Sequence, residues 1–140
     1  MAGWWVALAT LALGTVIGVV KLRRDGRMRD AGRTLTADAL GAELGERATL
    51  VQFSTAFCQP CRATRRVLAD VSGLVPGVRH VEIDAESRLD LVRRLDIMRT
   101  PTVLVLDGAG NVVKRASGQP RKADVIAVLG TIVSHEPDEM

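Results

Sequence analysis

Cys58 and Cys61 are the only cysteines in a chain of 140 residues, and their C-x-x-C spacing admits few kinds of chemistry. The stretch that carries them is Ala48-Thr-Leu-Val-Gln-Phe-Ser-Thr-Ala-Phe-Cys-Gln-Pro-Cys-Arg62. It reads as an apolar strand with Leu50, Val51 and Phe53, a short turn, and a helix that starts at the cysteines. A helix N-terminus presents unpaired N–H groups and the positive end of the dipole, both of which favour an anion. A thiolate placed there has a lowered pKa, and the thiolate is the nucleophile of disulfide exchange. Pro60 suits the first turn of a helix, where its missing N–H is no loss. The pair is therefore a candidate redox site.

The elements around it follow from period and punctuation. Thr36 can cap a short helix that ends near Gly45, with Leu40 and Leu44 on one face. A strand over 48–54 leads to the C-x-x-C turn. The helix beyond it turns Val67, Leu68 and Val71 inward and Arg62, Arg65 and Arg66 outward, and Gly73 and Pro76-Gly77 stop it. Residues 78–84 form a second strand. A helix over 87–95 comes next, with Leu89, Val92 and Leu95 as its apolar stripe. Val103-Leu-Val-Leu106 is a continuous apolar run of the kind buried on both faces of a sheet. Asp107-Gly-Ala-Gly-Asn111 makes a hairpin turn into an edge strand over 112–116. A last amphipathic helix over 121–134 turns Val125, Ile126, Leu129 and Ile132 inward. The order predicts two parallel crossovers ending in a hairpin, an α/β layer structure with helices on both faces.

The N-terminal part is of another kind. From Trp4 to Val20 there is no charge. At about 1.5 Å per residue, 2–20 crosses roughly 30 Å of hydrocarbon. Trp4 and Trp5 suit one membrane interface, and Lys21 to Arg24 suit the other. No basic stretch precedes the apolar run and no small-x-small cleavage site follows it, so the segment is expected to be an uncleaved transmembrane anchor. Gly14-Thr-Val-Ile-Gly18 is a small-xxx-small pattern through which two anchor helices could pair. Residues 21–33 carry a net charge of +4 within a chain of +3, which leaves about −1 for the remainder. They are expected to be a basic tether drawn to anionic head groups, so that 2–33 contact membrane lipids. The positive-inside rule then puts the domain in the cytoplasm; an outward-facing domain is the alternative. With its basic charge at the membrane flank and aromatic content of 3%, the chain is not expected to bind nucleic acid. Residues 135–140 are expected to be a flexible tail.

Phe57-Cys-Gln-Pro-Cys-Arg62, then Arg-Thr-Pro-Thr over 99–102, Asp107-Gly-Ala-Gly and a later Gly118 resemble the thioredoxin family, over about 46–134. The resemblance implies a thioredoxin-like fold over 34–134, a central mixed sheet with helices on both faces, preceded here by the anchor. It implies a protein-disulfide oxidoreductase in which Cys58 is the exposed attacking cysteine and Cys61 the buried resolving one. Thr100-Pro101 matches the family's cis-proline loop, which with Phe57, Gln59 and Pro60 would meet the substrate. No cofactor is implied beyond the Cys58–Cys61 disulfide itself. The implied partners are protein disulfides and an upstream electron donor such as a thioredoxin reductase.

The chain also departs from the pattern. Phe57 stands where the family usually has Trp, and Gln59 where a typical reductase has Gly. Gln52 occupies the position of the usual buried Asp, so this proton-transfer position lacks an acid. His80 aligns loosely with that Asp's Lys partner, and Arg66 replaces a helix-kinking proline. Rival readings are a zinc site using both cysteines with His80 and His135, a structural disulfide, and a membrane-tethered redox-sensing or interaction module without turnover. A metal site is not expected.

Overall fold

The computed structural model describes residues 1–24 and 29–134. Its elements are α1 (Ala2–Arg24), β1 (Arg29–Thr34), α2 (Ala37–Leu40), β2 (Ala48–Ser54), α3 (Gln59–Leu74), β3 (Val78–Asp84), α4 (Leu89–Arg94), β4 (Thr102–Asp107), β5 (Asn111–Ser117) and α5 (Lys122–Ser134). The strands form one mixed sheet in the order β1-β5-β4-β2-β3.

The centre of the sheet is the most apolar sequence, as burial requires. All of β2 is buried, and β4 is buried up to Leu106. Strand side chains alternate between faces, and the core divides accordingly. Leu50, Val103 and Val105 pack with Leu68 and Val71 of α3 and Val125 and Leu129 of α5. Val51, Phe53, Leu104 and Leu106 pack with Leu40 of α2, Leu91 of α4, and Leu95 and Ile97 beyond it. Gln52 falls on the same side as Leu50, beneath α3, and is fully buried.

Several expectations need correction. The tether over 21–33 gives way to structure at both ends: α1 runs to Arg24, and 29–34 is a strand antiparallel to β5. Arg-Asp-Ala-Gly-Arg-Thr lacks apolar alternation, so only its partner strand makes it a strand. Its residues 25–28 and the tail over 135–140 lie outside the described residues. Only the first crossover is parallel, between β2 and β3; β4 runs antiparallel to β2. The six residues of α4 rise about 9 Å. The seven residues of β3 span about 23 Å. The helix does not carry the chain back along the sheet, and β4 starts at the end where β3 finished.

Helix ends and faces also differ. The helix capped by Thr36 stops at Leu40, where Gly41 adopts φ 73° and donates its N–H to the Ala37 carbonyl. In α4 the buried residue is Leu91, while Leu89 is exposed. In α5, Val128 is buried in place of Ile126. The hairpin turn needs glycine at 110, with φ 89°, because a Cβ there would meet the Leu35 carbonyl oxygen at 2.1 Å.

Residues 2–23 of α1 are all exposed. Ala2–Arg23 has a mean hydropathy of 1.9 and is long and apolar enough to cross a membrane. That length and composition suit a membrane anchor and a signal sequence alike.

Candidate functional site

The site is built where β2 ends and α3 begins. Cys58 is the N-cap of α3, in extended backbone geometry, and its Sγ accepts the Cys61 N–H at 3.2 Å. Sulfur here does what a serine or aspartate oxygen does at an ordinary cap. Pro60 lies in the first turn, and no acidic residue stands there to offset the positive end of the helix. The two cysteines are joined as a disulfide, with Cα atoms 5.2 Å apart. They are unequal: Cys61 is 1% exposed, while Cys58 is half-buried. A partner from solvent therefore meets Cys58 first.

Gln52 holds the floor beneath the pair. Its Nε2 donates to the Cys61 carbonyl at 2.8 Å and to Ser54 Oγ at 2.9 Å. Its Oε1 lies 3.2 Å from His80 Nε2. Both Gln52 amide hydrogens are thereby engaged, so His80 is the donor to Oε1, in the tautomer with hydrogen on Nε2. Burial pushes the His80 pKa down; Glu82 acts against this and Arg65 with it. Glu82 is itself held by Arg65 through contacts of 2.5 and 2.6 Å. The Cys61 carbonyl is thus held by the Gln52 amide, whose own partner is His80, with no carboxylate at the Gln52 position.

The loop before β4 adjoins the end of β2. Phe53 pairs with Thr102 across β2 and β4, so both loops leave the sheet at the same end. The Thr55 and Thr100 hydroxyls meet at 3.2 Å. The Thr100–Pro101 peptide bond is cis, and Pro101 is buried. The Pro101 carbonyl accepts the Gly118 N–H at 2.7 Å, and the Arg99 guanidinium donates to the Ser117 carbonyl at 2.8 Å. Loop and β5 are tied together at this end.

The structure brings together Cys58, Cys61, Gln52 and His80 through direct contacts, and places Thr100 and Pro101 on the adjoining loop. Gln59 and Pro60 are exposed on the rim. Phe57 is 100% exposed and does not form the wall that a packed aromatic would. Sequence reasoning missed Ser54 and Thr55, small polar residues with no motif around them. It also missed Met98, which stands 89% exposed in the loop before Pro101. The signal was an apolar side chain just outside the period of α4. Among the described residues no three His, Cys, Asp or Glu side chains gather as metal ligands.

Known proteins share this arrangement. The thioredoxin family model matches residues 33–131. Thioredoxin H5 of Oryza sativa subsp. japonica is 30% identical over 77 residues, which cover 55% of this chain and 56% of that protein. Thioredoxin H4-1 of the same organism is 32% identical over 81 residues, 57% of this chain and 62% of its own length. The chain thus spans little more than half the length of these relatives. Among solved structures, chloroplastic thioredoxin z superposes with a TM-score of 0.57 and 27% identity, over 64% of this chain and 80% of that one. Mitochondrial thioredoxin 3 from Saccharomyces cerevisiae gives 0.54 at 17% identity, over 61% and 79%, a likeness of fold. The helix-capping cysteine pair, the mixed sheet that presents it and the family match over most of the domain lead to one assignment: the chain belongs to the thioredoxin family.

Proposed function

We propose that the chain is a thiol-disulfide oxidoreductase acting on protein disulfides through Cys58 and Cys61. One observation carries this reading: a half-buried sulfur caps a helix directly above a buried one. In the reduced chain the Cys58 thiolate, favoured by the helix N-terminus, attacks one sulfur of a substrate disulfide. The substrate S–S bond breaks, a mixed disulfide forms, and the departing thiolate takes a proton. Cys61, having lost its own proton, attacks Cys58 Sγ. The second substrate thiolate leaves, and the pair is oxidised with two electrons transferred. A dithiol donor, for which a thioredoxin reductase is the natural class, restores the reduced pair.

Substrate backbone would lie along Thr100–Pro101, with Phe57, Gln59 and Pro60 on the rim. With Gln52 where an acid would stand, Cys61 must yield its proton to solvent or another group, which slows general reduction. Cys61→Ser is expected to hold substrates as mixed disulfides through Cys58. If Cys58→Ser traps the same partners equally well, the assigned roles are wrong.

The apolar α1 supports a tethered form of this enzyme, with Ala2–Arg23 at the lipid and the basic end of the helix on the cytoplasmic side. Labelling intact cells with a membrane-impermeant thiol reagent tests the orientation. Cys58 is expected to stay unlabelled until the cells are opened, and ready labelling beforehand would reverse the topology.

A further inference from the structure

The segment leading into Thr100–Pro101 is fastened by two arginines from other strands. Arg115 of β5 donates through Nη1 to the Leu95 carbonyl and through Nη2 to the Asp96 carbonyl, the latter at 2.5 Å. Arg33 of β1 donates through Nη1 to the Arg94 carbonyl and through Nη2 to the Asp96 carboxylate at 3.1 Å. Four bonds thus converge on three consecutive residues at the end of α4. Carbonyls at a helix C-terminus lack intrahelical donors, and cations are favoured there. Asp96 also turns left-handed, with φ 52°, which sends the chain away from α4 toward the site. Burial lowers the Arg115 pKa, Asp96 raises it and Arg33 lowers it, so the three charges form one cluster.

The site loop begins directly after this clamp. Ile97 is buried, Met98 is 89% exposed, Arg99 is tied to Ser117, and Thr100 meets Thr55. We propose that Arg33 and Arg115 are positioning residues for the substrate loop. By fixing 94–96 they set where Thr100 and Pro101 stand for an incoming disulfide-bearing strand. The inference rests on the exchange function proposed above. Arg33 lies on β1, so the edge strand beside β5 belongs to the frame of the site. A guanidinium fork reaches two carbonyls in one plane, whereas an ammonium reaches one as a point charge.

The test uses the full chain in detergent, as wild type, Arg33→Met, Arg115→Met and Arg115→Lys. Two quantities are read: amide hydrogen exchange of 97–100 in the oxidised form, and rate constants of the reduced form with insulin and with the small disulfide cystamine. Exchange at 97–100 is expected to quicken about tenfold in each Met variant, with β2 amides unchanged. The insulin rate should fall about fivefold or more while the cystamine rate holds, because only a protein strand needs the loop. Arg115→Lys should remain low. Unchanged exchange and insulin rate in Arg33→Met would overturn the proposal, as would insulin and cystamine rates falling in equal proportion. Arg33 is 49% exposed, so its variant carries the test if Arg115→Met does not fold. A wild type that reduces neither disulfide would sink the exchange function itself, and amide exchange would still judge the clamp.

Discussion

Two helices of this chain, α1 and α3, share a geometry and little else. α1 is apolar over almost its whole length, and none of its residues 2–23 is buried against protein. α3 is polar over much of its surface and buries Cys61, Thr64, Leu68 and Val71 along one face. An amphipathic helix owes its stability chiefly to tertiary packing, and a uniformly apolar one to an apolar surrounding such as lipid. The cysteine pair sits at the start of the helix that the protein core holds. The domain and its apolar helix should therefore respond independently to substitution.

Leu68→Ala against Leu11→Arg is the sharpest way to break that comparison. Removing the fully buried Leu68 side chain is expected to destabilise the domain by about 2–5 kcal/mol. Its Tm should drop while partitioning into vesicles is unchanged. Leu11→Arg should do the reverse, costing about 2.5–3.5 kcal/mol of insertion free energy with the domain Tm intact. Calorimetry and vesicle flotation on both variants check the pair. A common response would mean that α1 packs on the domain in solution.

A smaller effect distinguishes the floor of the site. The folded-state pKa of His80 lies below its ordinary value, so the unfolded chain binds the proton more readily. Stability is then fully present above about pH 6.5, the ordinary histidine pKa, and is lost as pH falls through it toward the lower folded value. His80→Gln keeps a donor for Gln52 and removes the titration. The wild-type minus variant difference in denaturant midpoint should be flat from neutral pH upward and shrink below it. A difference that grows on acidification would mean that His80 is stabilised as a cation.

Much of the fold is legible in the sequence alone. The apolar runs of β2 and β4, the capped helix at the cysteines and the Asp107 to Asn111 turn come from period and turn chemistry, because each is decided locally. β1 was not legible: a polar six-residue strand at an edge exists only because β5 lies beside it. The direction of β4 was not legible either, because the link over 85–101 is long enough to reach either end of the sheet. Within the site, Cys58 and Cys61 announced themselves by spacing, and Gln52 only through the family resemblance, as the position of the usual buried Asp. Arg33 fell within the basic stretch expected to be a tether and Arg115 carried no motif; three of their four bonds go to backbone carbonyls far along the chain, which leave no mark in a sequence.

In the reduced chain the sulfur capping α3 is expected to be held as a reactive thiolate. The direct measurement is the pH profile of alkylation of the reduced chain by iodoacetamide, followed at Cys58. A midpoint below about 8.5, the value of a free cysteine, is expected, with labelling at neutral pH faster than that of glutathione. A midpoint at or above that value, with Cys58 no faster than glutathione, would contradict it.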